Sequence, residues 1–283
     1  MPRFRSAWAL ARAAACTAAM LACAPGHAHA QEQADLVPLV VELPSAPPTI
    51  SADCGVTRSV GERVRRALSG VRRAVRSKSS VKVLAIGSSS TAGVGASSPS
   101  ATFVARLETS LEGALKGMDF DVVGRGLSGE IAEGAADRMR QEVAATKPDL
   151  VVWQVGTNDA LRHVSVDKFK SCLKTTLAWL AEKKIDVVLL DPQYGDALTK
   201  DGYYEQVVAA TAEVAREARV LLVDRFAAMR ELQRGRGDGY YLAADRLHMN
   251  DRGHRCVAEQ LTRAIIGGLL QADAEAGQPV FYP

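Results

Sequence analysis

The sequence predicts a single α/β domain in which a parallel sheet of five strands is covered by helices on both faces. Strands and helices alternate five times between Val81 and Leu270, without an internal repeat, and each strand is a short apolar run that ends in a polar turn. Right-handed crossovers between successive parallel strands place helices on both sides of such a sheet. The 283 residues have room for one large domain with a well-buried core.

The first thirty residues have the pattern of a secretory signal peptide. Arg3 and Arg5 precede an apolar stretch over residues 7–24, and the small-x-small triplet 28–30 follows it. We therefore expect cleavage before Gln31, which would release the mature protein into the periplasm or the medium.

A membrane anchor and a lipoprotein are the two alternatives for this segment. Arg12 interrupts the apolar stretch, which is also short for a membrane span, so no stable membrane insertion is expected after cleavage. Cys23 is a candidate lipidation site, but the Met and Leu before it match the lipoprotein pattern poorly. The cleaved signal peptide is the favoured interpretation.

Residues 31–55 are predicted to form an extended, partly disordered leader, because they hold four prolines and little hydrophobic periodicity. The α/β domain is predicted to span 56–272, and a short tail to span 273–283. The domain's first helix is predicted from Thr57 to Lys78, where apolar residues recur at helical spacing and are surrounded by Arg63, Arg65, Arg66, Arg72, Arg73 and Arg76. These arginines favour a solvated helix face, and a patch for anionic surfaces such as lipid headgroups is the alternative.

The other elements follow from hydrophobic period and from glycine or proline boundaries. Apolar or β-branched runs predict the strands, and apolar residues three or four apart predict the helices. The predicted strands are 83–86, 120–123, 150–155, 185–190 and 220–223. The predicted helices are 103–115, 131–145, 166–183, 203–218, 226–232 and 251–270.

Charge and cysteine content exclude several classes of protein. The formal net charge is only +3 and no domain is strongly basic, so no nucleic-acid partner is expected. Cys54, Cys172 and Cys256 remain after cleavage; one pair can form a disulfide in an oxidising compartment, and the sequence leaves open which. Their spacing is too wide for a CxxC motif and the mature histidines are scattered, so neither a metal nor a cofactor is expected.

Hydroxyl-rich or amide-bearing turns follow the first three strands. They are Ser88-Ser89-Ser90, Ser128-Gly129 and Thr157-Asn158. Parallel strands bring their carboxyl ends to one edge of the sheet, where open α/β sheets bind ligands, so the three turns are expected to converge. A serine in the first turn is a candidate nucleophile.

A fourth motif, Asp245-x-x-His248, lies after the last strand and just before the last helix. In a helical or tight turn, residues three apart face the same side, so the carboxylate can reach one ring nitrogen. It would then fix the tautomer, and the other nitrogen could take a proton from a serine. A lone DxxH is common by chance, and its position in the fold is what gives it significance.

Together these motifs resemble the four sequence blocks of the SGNH (GDSL-type) hydrolases. Gly87-Ser88-Ser89, Gly129, Gly156-Thr157-Asn158-Asp159 and Asp245-x-x-His248 occur in the family's order and spacing, and the resemblance covers 81–270. It implies a three-layer α/β/α flavodoxin-like fold, with sheet order 2-1-3-4-5, and ester hydrolysis without a metal.

The resemblance also implies a role for each matched residue. Ser89 would be the nucleophile, His248 the base and Asp245 its orienting partner. The oxyanion hole would consist of the backbone N–H groups of Ser89 and Gly129 with the side-chain amide of Asn158.

The chain departs from the family in the first block. Ser88 occupies the position of the usual aspartate, and Ser90 a position often held by leucine. A serine hydroxyl can also satisfy nearby backbone groups, so a retuned turn is expected rather than a dead site.

Other residues near the sheet edge have competing interpretations. The segment 191–194 either walls the pocket or forms a proline-fixed turn with a packed tyrosine. His163 is expected to be solvated, with a substrate contact as the alternative, and His254 to be packed or exposed. The 87–95 turn is not a phosphate loop, since no Lys-Ser/Thr follows it.

The leading functional hypothesis is a serine esterase that acts on short acyl esters, such as acetyl groups on a small molecule or on an envelope or extracellular polysaccharide. A lipase or lysophospholipase of the same fold is one alternative. A non-catalytic carbohydrate-binding protein is the other. The sequence leaves the oligomeric state open.

Overall fold

The computed structural model describes residues 41–56, 62–64 and 68–276. These residues all belong to one unit, Pro38–Pro283. The predicted signal peptide, the Cys23 alternative and residues 277–283 of the predicted tail lie outside the described residues.

Strands and helices alternate along the described chain. The strands are β1 Glu62–Val64, β2 Ser80–Gly87, β3 Asp119–Gly126, β4 Leu150–Gln154, β5 Asp186–Leu190 and β6 Leu221–Val223. The helices are α1 Ser69–Ser77, α2 Ser89–Ala92, α3 Phe103–Ala114, α4 Ala132–Thr146, α5 Thr157–Leu161, α6 Val166–Glu182, α7 Tyr203–Ala218, α8 Arg225–Gln233 and α9 Asp251–Glu275. Short 3-10 turns occur at Pro99–Ala101 and Asp238–Tyr240. Among the helices so described, none is long and apolar enough to cross a membrane.

The sheet has the order β1-β6-β5-β4-β2-β3. Strands β2 to β6 pair in parallel, and β1 pairs antiparallel with β6 at one edge. Numbered from the first parallel strand, the five parallel strands have the order 2-1-3-4-5, which confirms the predicted α/β fold.

Side chains of the central strand β2 alternate between two cores, one on each face of the sheet. Val83 and Ala85 belong to the core that contains residues of α1, α3 and α9, and Leu84 and Ile86 to the core that contains residues of α4, α6 and α7. Because helices bury both faces of β2, β4, β5 and β6, these strands read as continuous apolar runs rather than alternating ones, whereas the edge strand β3 is largely exposed. This is the three-layer arrangement that the sequence predicts.

The predicted helix Thr57–Lys78 is wrong over Glu62–Val64, which form the edge strand β1. The described helix of this segment begins at Ser69, and residues 57–61 and 65–67 lie outside the described residues. Pairing with the open edge of β6 outweighs the helical periodicity of this segment, since tertiary contacts override weak local preferences.

The arginine-rich helix α1 is tied to the domain. Arg72 and Arg76 form ion pairs with Asp273, at 3.2 and 2.8 Å, and Arg73 donates to the carbonyl of Lys184 at 3.2 Å. These contacts favour a helix packed on the domain over a patch for anionic surfaces. They also show that Asp273, the first residue of the predicted tail, lies in α9.

The described part of the predicted leader, from Val41, packs on α9 instead of hanging free. Val41 is buried, and the Ser51 backbone N–H and hydroxyl donate to the carboxylate of Glu259 at 2.8 and 2.7 Å. Asp53 forms an ion pair with Arg255. These contacts correct the expectation of partial disorder for residues 41–55.

The open question of cysteine pairing is answered by a disulfide between Cys54 and Cys256, which are 202 residues apart in sequence. The bond fastens the leader to α9. Cys172 is a free, half-buried thiol, and burial raises its pKa to about 11.

His254 is buried on α9 and is not available as a base. Its Nδ1 accepts a hydrogen bond from the backbone N–H of Phe103 at 3.1 Å, and its Nε2 lies 3.3 Å from the carbonyl oxygen of Val94. A fixed N–H donor at Nδ1 assigns the proton to Nε2, so the ring is neutral. Burial lowers the pKa of His254 to about 4, although the hydrogen bond to Val94 opposes this shift.

This buried histidine should make the protein sensitive to acid. His254 takes up a proton near pH 6.5 in the unfolded chain but only near pH 4 in the folded chain. Its contribution to the free energy of unfolding is therefore fully present above pH 6.5 and declines as the pH falls towards 4. The loss attributable to His254 is about 3 kcal/mol. Urea unfolding at pH 7 and at pH 4 measures this loss in the free energy of unfolding. In His254→Gln, whose side chain does not titrate, the loss between the two pH values should be about 3 kcal/mol smaller than in the wild type. Equal losses in the two proteins would contradict the prediction.

Candidate active site

The candidate nucleophile lies in the tight turn between β2 and α2. Gly87 ends the strand, and a Cβ on it would lie 2.7 Å from the carbonyl oxygen of Gln154, so only glycine fits here. Ser89 is the first residue of α2 and is half-buried, whereas Ser88 and Ser90 are buried.

The two buried serines have partners inside the protein. The backbone N–H and the hydroxyl of Ser88 both donate to Oε1 of Gln154, at 2.9 and 3.0 Å. The Ser90 hydroxyl accepts from Arg225 at 3.3 Å. Within the described residues, the Ser89 hydroxyl has no hydrogen-bond partner, so it alone of the three is open to a substrate.

These contacts account for both departures from the GDSL pattern. Gln154, at the end of β4, holds the turn at Ser88 where the family has an aspartate. Ser90, in the leucine position, accepts a hydrogen bond from Nη1 of the buried Arg225, and a leucine there would leave that nitrogen without an oxygen acceptor.

That guanidinium, Arg225, connects the nucleophile turn to the loop that carries His248. It is fully buried, donates to the carbonyl of Asp191 at 2.9 Å and lies 3.9 Å from the sulfur of Met249. Burial lowers its pKa to about 10, so it remains charged at neutral pH. Burial, together with the neighbouring Asp224 carboxylate, raises the pKa of Asp191. Sequence reasoning missed Arg225, because an arginine after a strand carries no local sign of burial.

The two other polar turns lie against each other, as predicted. Gly129 has a left-handed backbone, φ +79°, and the side-chain N–H of Asn158 donates to the carbonyl of Glu130 at 2.9 Å. The buried Asp159 carboxylate accepts from the backbone N–H of Ala132 at 3.0 Å, and burial raises its pKa. An amide has two N–H groups, so Asn158 keeps one for a ligand.

Asp245 and His248 form the contact that their spacing predicts. Nδ1 of His248 lies 2.6 Å from Oδ2 of Asp245, and the backbone N–H groups of Leu247 and His248 donate to Oδ1 at 3.0 and 2.9 Å. Partial burial raises the pKa of Asp245, but these hydrogen bonds outweigh it and bring it to about 2. A carboxylate that stays ionised fixes the proton on Nδ1 and leaves Nε2 as the basic nitrogen.

A buried glutamine links the loop of His248 to the helix of Asn158. Thr157 donates to Oε1 of Gln193 at 2.8 Å, and Nε2 of Gln193 donates to the carbonyl of Leu247 at 3.0 Å. The Tyr204 hydroxyl donates to the Gln193 carbonyl at 2.8 Å. Gln193, in the segment after β5, therefore holds the His248 loop and the Asn158 helix together by hydrogen bonds.

Gly95 is the point at which the His248 loop approaches the chain that follows Ser89. It has φ +93°, and a Cβ there would collide with the carbonyl oxygen of Met249 and lie 3.0 Å from the Cβ of His248. The absence of a side chain at Gly95 therefore sets how close the base comes to the nucleophile turn.

The Gly95→Ala variant should accordingly lose activity by displacing His248. A shift of the order of 1 Å costs about 100-fold in rate, so we expect kcat to fall by about that factor. Gly113→Ala is the matched control, because nothing lies within 4 Å of its Cβ position, in helix α3. Steady-state kinetics on p-nitrophenyl acetate compare the two variants, and unchanged kcat in Gly95→Ala would contradict the prediction.

The predicted site residues thus lie on adjoining turns, but one contact is absent. No hydrogen bond joins Ser89 to His248 across the described residues; such bonds are often long in unliganded enzymes. The other candidate, His163, is exposed, stacks on Tyr203 with ring centroids 4.6 Å apart, and lies 3.2 Å from Asp201. In the part of the chain that the structure describes, no group of His, Cys, Asp and Glu side chains is arranged to hold a metal ion.

Two open clefts flank the loop of His248. One, of about 620 Å³, is lined by polar and backbone groups that include Asp196, Asp238 and Arg246. The other, of about 670 Å³, includes Gly95 and Arg106. Neither cleft is lined by Ser89, Asn158 or His248, so both border the candidate site without containing it.

Comparison with known proteins places the chain among esterases. It is 27% identical to an acetylxylan esterase of Geobacillus stearothermophilus over 176 residues, which are 58% of this chain and 80% of that one. A mutant of an acetyl-xylooligosaccharide esterase from Geobacillus superposes with a TM-score of 0.57 and 25% identity, covering 65% of this chain and 94% of that one. An α/β hydrolase from the metagenome of Lake Arreo, Spain, gives a TM-score of 0.57 and 27% identity, covering 67% and 96%.

The fold and these relatives define the class of the protein as an ester hydrolase of the SGNH type. The chain belongs to the Non-GDSL lipase-like family, whose model matches residues 53–271.

Proposed function

We propose that this chain is a secreted or periplasmic serine esterase that removes short acyl groups, chiefly acetyl, from polysaccharides. The observation that carries the proposal is the Asp245–His248 pair, at 2.6 Å, on a loop that packs against the turn of the free Ser89 hydroxyl. The substrate class is supported by the relatives, which act on acetylated xylan or xylooligosaccharides.

In the proposed mechanism, Ser89 Oγ attacks the acyl carbon as Nε2 of His248 takes its proton. A serine hydroxyl needs such a base, because it is a poor nucleophile at neutral pH. The negative charge on the former carbonyl oxygen is stabilised by the N–H groups of Ser89, Gly129 and Asn158, each contributing about 3 kcal/mol. The bond to the alcohol then breaks, and His248 returns the proton to the departing oxygen. Water, activated by His248, hydrolyses the acyl-enzyme in the same way.

Export is supported by two features. The amino-terminal segment has the pattern of a signal peptide, and the Cys54–Cys256 disulfide is of a kind that persists in oxidising compartments. Fractionation of cells that express the full chain tests this, with the mature amino terminus expected at Gln31.

The decisive experiment combines turnover with active-site labelling. The protein should hydrolyse p-nitrophenyl acetate and release acetate from acetylated xylan, and a fluorophosphonate probe should label Ser89, as located by mass spectrometry. Failure of both turnover and labelling would instead favour a non-catalytic carbohydrate-binding protein.

One observation favours the second candidate, a lipase or lysophospholipase. Three large apolar side chains are exposed in the described residues, and each lies close in sequence to a site residue: Val94, Leu127 and Leu161. They offer contacts for an acyl chain longer than acetyl. A series of p-nitrophenyl esters from acetate to octanoate separates the candidates, because a lipase would prefer the longer chains.

A further inference from the structure

Arg162 stands beside the predicted oxyanion turn and is not used by the proposed mechanism. It follows α5, and its backbone N–H donates to the carbonyl of Asn158 at 3.0 Å, which fixes its position relative to that residue. One nitrogen of its exposed guanidinium lies 3.2 Å from the point where a Cβ on Gly129 would be. The cation therefore lies beside Gly129, whose backbone N–H is the predicted oxyanion donor.

In the described part of the chain no ion pair holds this cation, although its charge attracts the buried carboxylate of Asp159 from beyond ion-pair distance. Across the described residues, no carboxylate lies within ion-pair distance of Arg162, and its guanidinium makes no hydrogen bond. Glu130, the acidic residue next to Gly129, is paired with Arg138 at 2.7 Å. The carboxylate of Asp159 is buried and bound to the backbone N–H of Ala132.

Several other arginines of the domain are held by carboxylates. Arg72, Arg125 and Arg138 each have a carboxylate partner. A guanidinium presents a planar fork of N–H donors that matches a carboxylate with two parallel hydrogen bonds. An unpaired fork at the mouth of an esterase site is suited to a carboxylate on the substrate.

We propose that Arg162 is a specificity-determining residue that binds a carboxylate of the substrate, so that the preferred substrates are acetylated acidic glycans, in which the esterified sugar or its neighbour is a uronate. This inference rests on the proposed esterase function. The acetyl group enters the oxyanion hole at Gly129, and the carboxylate pairs with Arg162 on the outer side of the same turn. The contact acts on binding of the substrate and leaves the acyl-transfer chemistry unchanged.

The test compares two esters that differ only in the carboxylate: mono-O-acetyl methyl glucopyranosiduronate and mono-O-acetyl methyl glucopyranoside, with p-nitrophenyl acetate as a neutral reference. The wild type should favour the acidic ester. In Arg162→Gln, kcat/KM for the acidic ester should fall about tenfold, mainly through KM, as expected for loss of one charge-assisted pair at an exposed site. Arg162→Lys should retain part of the preference, and added salt should weaken it in the wild type.

Arg140→Gln is the matched control, since Arg140 is an exposed arginine that lies 4.9 Å above the ring of Trp179 on the outer helices. It should keep the wild-type preference. An equal loss of kcat on all three esters in Arg162→Gln would overturn the proposal. Such a loss would mean that the charge of Arg162 stabilises the oxyanion instead of binding a carboxylate of the substrate. A wild type that hydrolyses p-nitrophenyl acetate but does not discriminate between the two sugars would also overturn it, with the esterase function intact. Absence of hydrolysis of every ester would instead refute the esterase function, and this inference with it.

Discussion

Ser89→Ala should lower kcat/KM for p-nitrophenyl acetate by about 10⁴-fold or more, to the level left by the oxyanion hole and binding alone. Ser88 and Ser90 flank it but cannot substitute, because their hydroxyls are buried and bonded to Gln154 and Arg225. The measurement is steady-state hydrolysis, together with loss of fluorophosphonate labelling.

Ser100→Ala is the control for this variant, since Ser100 is an exposed serine in the turn that precedes α3. It should retain full activity. Circular dichroism should show that Ser89→Ala remains folded, because no hydrogen bond in the described structure is lost with its hydroxyl. Full activity of Ser89→Ala would exclude Ser89 as the nucleophile.

Removal of the disulfide in the double variant Cys54→Ala/Cys256→Ala should lower the free energy of unfolding by about 2–5 kcal/mol. The bond closes a loop of 202 residues, so its loss gives the unfolded chain much more conformational freedom. It also releases the segment that carries Val41 and Ser51 from α9. Urea unfolding of the oxidised protein and of the double variant measures the difference.

Cys172→Ala is the matched control, because it removes a half-buried thiol that forms no disulfide. Its effect should be below about 1 kcal/mol, because the side chain is small and lies at the margin of the core. The wild type treated with a reductant should approach the double variant in stability. Equal unfolding free energies for the oxidised and reduced wild type would contradict the prediction.

Local sequence pattern was enough to predict the parallel sheet. The apolar runs of β2, β4, β5 and β6 are buried on both faces, so these strands are visible without knowledge of their partners, and the short apolar run of the edge strand β3 is visible through its glycine boundary. The edge strand β1 was missed because only its pairing with β6 makes it a strand. The leader was predicted to be disordered, because nothing in its prolines reveals Glu259 or Cys256 as partners.

The candidate site also has one part that the sequence predicts and another that only the fold reveals. Asp245 and His248 are three residues apart, and their contact follows from spacing. The groups that support the site, Gln154, Gln193 and Arg225, reach it from distant parts of the chain. A glutamine or arginine at a strand end has no pattern that shows which way it points, and therefore only the fold reveals these three.

The order of the cysteines along the chain has a consequence for maturation. In the export that we propose, the chain emerges amino terminus first, so Cys54 meets Cys172 before its native partner Cys256 has crossed. If the cysteines were oxidised in the order in which they emerge, Cys54 would pair with Cys172, and α9 would lack its disulfide to the leader. Correct maturation then requires either that oxidation waits until α9 has emerged or that a thiol–disulfide exchange catalyst moves the bond. The yield of native enzyme should therefore depend on the isomerase capacity of the compartment, and Cys172→Ala should remove that dependence.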